Sequence, residues 1–246
     1  MKKAVIIQAR MASTRLPGKV LMKLNDKPCL RHIIERCQRA KRIDQIIVTV
    51  TDDPKDESIM AYCDLLNIPY YIGKGTDVYN QVLENAKFHN VDLIVEVTAD
   101  CPMIDPYHID ILVKNFLKRK NVLYASNVFP RTFPDGFDIQ VYKTEILDLY
   151  NNFVTKPVHR RHVGWNIMTR IDSENIWSLI TKDIRSDPKM RLTLDTKEDH
   201  EVINKIFTDF GHNHFSFPDV LDYLQYHPEL LEINKNVRTK IAGEEG

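Results

Sequence analysis

Apolar residues along the first half of the chain fall into short continuous runs, separated by stretches in which they recur every three or four positions. Lys3–Ala9 is an unbroken apolar run with β-branched members, the pattern of a strand covered on both faces in a parallel sheet. In 28–40, Leu30, Ile33, Ile34 and Cys37 recur at helical spacing behind Pro28, which predicts an amphipathic helix. The pattern continues with a strand at 45–51, a helix at 56–66, a short strand at 69–72, a helix at 77–89 and a strand at 93–98. Such alternation predicts an α/β fold built on a doubly wound sheet, whose site lies in loops at the carboxyl ends of the strands. Those loops are 10–19, 51–54 and 99–105.

The second half is less regular. Helical spacing predicts helices at 109–117, 142–150, 156–167, 197–210 and 221–231, and strands are expected at 122–126 and 191–194. Phe137–Tyr142 alternates with period two, the mark of a half-exposed strand in which Asp138, Gln140 and Tyr142 lie opposite Phe137, Ile139 and Val141. The tail 242–246 is expected to be loose. Without a repeat, a Gly/Ser linker or a low-complexity stretch, the chain reads as one domain over 1–246, in three successive segments, 1–126, 127–200 and the C-terminal helices of 201–246.

Composition narrows the class. The chain has 246 residues, 43% hydrophobic and 28% charged, which excludes a disordered or fibrous protein. Its apolar runs are too short to span a bilayer, and the run behind Met1-Lys2-Lys3 too short for a signal peptide, so no membrane partner and a cytoplasmic setting are expected. Four scattered cysteines form neither a CxxC pair nor a disulfide framework and read as buried hydrophobes. Lys plus Arg and Asp plus Glu both number 34, which disfavours a nucleic-acid partner. Yet residues 1–42 hold twelve basic side chains against two acidic ones, so an anion is expected near the N-terminal strand.

The loop Gln8–Lys19 concentrates that charge. Arg10, Arg15 and Lys19 stand with Ser13, Thr14 and the Pro17-Gly18 turn at the end of a strand. Guanidinium forks, a mobile ammonium and turn amides suit a polyphosphate. A Walker A loop is excluded, because Ser13 and Val20 occupy its glycine and hydroxyl positions. The plain alternative is a solvated basic loop. His159 and His162 lie three apart on a helix face, but no third ligand has zinc spacing. Tyr70, Tyr71, Phe129 and Phe133 suit packing better than base stacking.

Ile6–Leu21 resembles the opening motif of the SpsF-type cytidylyltransferases of spore-coat polysaccharide synthesis, relatives of the CMP-Kdo and CMP-sialate synthetases. Five further segments resemble that family in order: 50–53, 75–79, 98–104, 133–141 and 191–199. The resemblance implies a Rossmann-like, GT-A-like nucleotide-diphospho-sugar transferase fold with a mixed sheet, a homodimer, and Mg²⁺-dependent transfer from CTP to a small anionic acceptor. It implies Ala9, Arg10, Ser13, Arg15, Lys19 and Asp52 at the nucleotide, with Arg15, Lys19, Asp100 and Asp195 catalytic. Asp100 and Asp195 would hold the metal from strand ends, although each also suits a helix cap. Acceptor contacts would come from Asp138, Gln140, Arg160, Arg161 and His162. Three positions depart from the family pattern: Ala12 replaces Gly, and Gln140 and Arg161 each replace Glu. They make the acceptor end more positive if both side chains face the cleft. GTP or another nucleotide, or a non-catalytic nucleotide- or glycan-binding module, are the competing readings.

Overall fold

The computed structural model describes residues 1–239. A seven-stranded sheet is formed by β1 (Lys3–Gln8), β4 (Gln45–Thr51), β5 (Tyr70–Gly73), β6 (Leu93–Thr98), β7 (Tyr124–Ser126), β8 (Gln140–Lys143) and β9 (Ile176–Ser178), in the order β5-β4-β1-β6-β8-β7-β9. Only β8 runs against its neighbours. A small hairpin, β2 (Lys23–Leu24) and β3 (Lys27–Pro28), turns through Asn25 and Asp26 at positive φ.

Both faces are covered, as the apolar runs require. Along β1, Val5 and Ile7 face a layer holding α1 (Cys29–Cys37), α2 (Glu57–Leu65), α4 (Pro106–Lys118), α7 (Lys197–Phe210) and α8 (Phe217–Tyr226). Ala4 and Ile6 face the opposite layer of α3 (Val78–Phe88), α5 (Thr144–Tyr150) and α6 (Val163–Met168). After β5 the chain crosses over β1 to enter β6. The connections leaving β1 and β6 therefore diverge, and a crevice opens between their carboxyl ends. All four cysteines are buried and free. No helix among the described residues is long and apolar enough to cross a membrane.

Several expectations are corrected in the second half. Residues 191–194 form no strand: Arg191 makes one isolated bridge to Asp135, and Leu194 N–H donates to the Asp100 carbonyl at 2.8 Å. Residues 156–167 are not one helix but a 3₁₀ turn, His159–Arg161, followed by α6. Residues 221–231 are likewise divided between α8 and α9 (Glu229–Asn234), on either side of Pro228, which lacks the N–H a continuous helix needs. The period-two segment enters the sheet only at Gln140, and Tyr142 is fully buried rather than facing solvent. On its polar side Gln140 packs against Gly164 of α6 and Asp138 pairs with Arg131, so this face is partly covered by protein instead of being open to solvent. Strand β9 carried no readable signal. The expected loose tail lies outside the described residues.

Arg36 staples the α1 layer. It has no exposed surface, and its guanidinium donates to the carbonyls of Ile104 (2.6 Å), Phe215 (2.8 Å), Asn213 (3.2 Å) and Met103 (3.4 Å) while lying over the Phe215 ring. Burial presses its pKa down to about 10, so it stays charged at neutral pH. Arg36→Met leaves four buried carbonyls without this donor, and urea unfolding should show a loss of about 3 kcal/mol. A loss below about 1 kcal/mol would mean that those carbonyls find other partners.

Candidate active site

The crevice is a cleft of about 720 Å³, large enough for a nucleotide. Its walls are the ends of β1, β4 and β6 and the loops that follow, together with Gly75, Thr76, Arg161, His162 and Asp195. Ala9, Arg10, Ser13, Arg15, Lys19, Asp52, Asp100 and Asp195 all line it.

Lys19 is the centre of one end. Its Nζ donates to Asp100 Oδ2 at 2.7 Å and to Asp195 Oδ1 at 2.8 Å, and Arg15 pairs with Asp195 Oδ2 at 2.7 Å. Burial works against the Lys19 charge, but the two carboxylates outweigh it and hold the ammonium above the ordinary lysine range. Burial likewise opposes ionisation of Asp100, and Lys19, with a 2.5 Å bond from Thr98 Oγ1, more than offsets it and pulls the carboxyl below its usual value. The Arg10 and Arg161 guanidinium groups, by contrast, have no hydrogen-bond or ion-pair partner among the described residues.

Neither aspartate is spent as a cap. Thr196 caps α7, in a reciprocal box with Asp199, and Asp105 caps α4. Asp199, fully buried, accepts from the backbone N–H groups of Asp195 (3.1 Å) and Thr196 (3.0 Å) and from Arg191 Nη2 (3.0 Å), which fixes the turn that aims Asp195 into the cleft. Gly136, at φ 113°, lets the 191–194 segment pass: a β-carbon there would lie 2.3 Å from the Leu192 carbonyl oxygen.

Two carboxylates brought to one cationic atom fit Mg²⁺, which takes one or two protein carboxylates and fills its octahedron with phosphate oxygens and water. Among the described residues, no group of three or more His, Cys, Asp or Glu could hold a metal alone. The donor set therefore suits a metal shared with a phosphorylated substrate.

Residues 4–157 match the cytidylyltransferase family. The chain belongs to that family. A cytidylyltransferase from Leptospira borgpetersenii has a similar structure, with a TM-score of 0.89 and 29% identity over 98% of this chain and 100% of that one. The spore coat polysaccharide biosynthesis protein SpsF of Bacillus subtilis is 27% identical over 87% of this chain and 88% of its own length. An 8-amino-3,8-dideoxy-manno-octulosonate cytidylyltransferase of Shewanella frigidimarina is 32% identical over 47% of this chain and 48% of its own.

In this cytidylyltransferase the expected acceptor residues separate. Arg161 and His162 line the cleft. Burial, then the charge of Arg161, lowers the His162 pKa, so its ring is neutral at pH 7. Arg160 points elsewhere: it holds Asp77 at 2.7 Å, the carbonyls of Asn151 and Val154, and the face of Tyr79. Adjacent residues on a tight turn face different ways, so one basic pair yields one cleft arginine and one structural clamp. Asp138 is held bidentately by Arg131 at 2.8 and 2.6 Å and does not line the cleft. Nor does Gln140, which accepts from Tyr124 Oη at 2.6 Å beneath α6. The extra positive charge at this end thus comes from Arg161 alone.

Sequence reasoning missed Asp56, in a run of turn-forming residues with no local mark to distinguish it. Its buried carboxylate accepts from Met11 N–H at 2.7 Å, Thr51 N–H at 3.0 Å and Thr51 Oγ1 at 2.6 Å, tying the 10–19 loop to the end of β4. Asp56→Ala should weaken triphosphate binding by roughly tenfold in calorimetry, because a freed loop must be ordered on binding. Unchanged affinity would show that the loop holds its shape without Asp56.

Proposed function

We propose that this enzyme moves CMP from CTP to a small anionic acceptor, a sugar acid or a phosphorylated compound, with Mg²⁺ and release of pyrophosphate, in the supply of activated units for a surface polysaccharide. The convergence of Lys19, Asp100 and Asp195 carries this reading. Support for the setting comes from the likeness to SpsF and to the aminosugar-acid cytidylyltransferase.

Transfer of this kind needs an acceptor oxygen in line with the α-phosphorus while pyrophosphate departs, and its barrier falls mainly through positioning and charge neutralisation. Asp100 and Asp195 would hold the metal, which when bound supplies positive charge at the phosphates. Arg15 and Lys19 already meet those carboxylates, so both can turn their donors to phosphate oxygens without crossing the cleft. Thr98 and Asp199 keep the two aspartates oriented. Arg10 is an unspent guanidinium on the phosphate loop. Arg161 is a second, placed to receive a carboxylate or phosphate of the acceptor.

A panel of nucleoside triphosphates against carboxylated and phosphorylated sugars, read by pyrophosphate release, tests the reading; turnover is expected with CTP and is lost on chelation of divalent metal. Asp100→Asn and Asp195→Asn should each cost on the order of 10²–10³-fold in kcat with the fold retained. Parent rates in either variant would remove that residue from the site. For the acceptor, Arg161→Glu is expected to raise the KM of the anionic substrate about tenfold or more and to leave the nucleotide KM within about twofold. An unaltered acceptor KM, or a neutral alcohol as best acceptor, contradicts the role given to Arg161.

A further inference from the structure

Far from the Lys19 cluster, the cleft ends at the loop following β5. Asp100 follows β6 and Gly75 follows β5, three strand steps across the sheet, roughly 14 Å. That separation is of the order of a nucleotide's length, so phosphates at Lys19 leave the base at the β5 end.

Gln81, on α3, is a buried polar side chain built into that end. It lines the cleft yet is only 4% exposed. Its Nε2 donates to the Gly75 carbonyl at 2.7 Å and approaches the Lys74 carbonyl at 3.5 Å. Two facing carbonyls fix the amide orientation, because a flip would set oxygen against oxygen. Oε1 is left without a hydrogen-bond partner among the described residues. The fit is tight: a β-carbon on Gly73 would lie 2.3 Å from Gln81 Cγ, and Asp52 Oδ1 holds the Gly75 N–H at 2.9 Å. Gln81 therefore presents a rigid acceptor and no donor.

Building on the nucleotidyl-transfer reading, we infer that Gln81 is a base-specificity residue, whose Oε1 accepts a hydrogen bond from the exocyclic amino group of the nucleobase. Cytosine offers that donor at its 4-position. Uracil and thymine present a carbonyl there, which would meet Oε1 acceptor to acceptor and leave both desolvated. A site that hydrogen-bonds a substrate group rejects analogues lacking it strongly, because its own polar atom is then buried unpaired.

The test compares CTP, UTP and the triphosphate of the 2-pyrimidinone nucleoside, which is CTP without its amino group, on the full-length enzyme and on Gln81→Met, which keeps the side chain's length but not its acceptor. The unmodified enzyme should favour CTP by about tenfold or more over the pyrimidinone and by about a hundredfold over UTP in kcat/KM. In Gln81→Met both ratios should fall to within about threefold, through loss of CTP activity with UTP activity kept or raised. Ratios unchanged in the variant, or equal losses for all three nucleotides, overturn the assignment; the second result would make Gln81 only a brace for the Gly75 turn. If no acceptor supports pyrophosphate release from any nucleotide, the transfer reading fails, and the same ratios measured as calorimetric binding constants still decide the role of Gln81.

Discussion

One ammonium between two carboxylates organises the active end of this molecule. Asp100 and Asp195 come from segments 95 residues apart in sequence, and like charges so placed would repel strongly inside a cleft with a low local dielectric. Lys19 removes that conflict by donating to both. In the transfer reading proposed above a metal-bound polyphosphate would engage these same three charges, and their mutual contact keeps the groups aimed into the cleft. Loss of any member would leave the others uncompensated and partly buried.

Around this trio, each part is held by a carboxylate or glycine that does not itself line the cleft. Asp56 pins the phosphate loop to β4, Asp199 shapes the turn bearing Asp195, and Gly136 admits the strap that carries it. These supports explain why an irregular segment at 191–194 positions a side chain as firmly as a strand would. Its backbone groups are satisfied by Asp135, Asp100 and Asn234 instead of by a ladder.

A further buried carboxyl, Glu96 on β6, lies in the sheet beneath α6. Glu96 accepts from Gln8 Nε2 and Tyr142 Oη at 2.7 and 2.6 Å and from Gly164 N–H at 3.1 Å, yet burial outweighs these bonds and raises its pKa. Gln140 sits directly across from it on β8. A glutamate at 140 would put two carboxylates opposite each other under α6, whereas the amide accepts from Tyr124 without adding charge. The departure from the family pattern at 140 thus fits the interior of the sheet, while the one at 161 lines the cleft.

Local pattern determined what depends on near neighbours: the alternation of β1 through β6 with its helices, helix α7 to the residue, and the basic loop behind β1, since burial on two faces and helical periodicity both write themselves into adjacent positions. Motif resemblance added the aspartates. Tertiary packing alone decided which of several equivalent side chains is used. Arg160 and Arg161 are indistinguishable as letters, but a 3₁₀ turn sends one to Asp77 and the other to the cleft. Asp195 and Thr196 both suit a cap, and Thr196 takes it because Asp199 completes the box. Asp56 and Gln81 make their contacts chiefly with backbone atoms, which any sequence supplies at every position, so nothing in the order of residues could mark them.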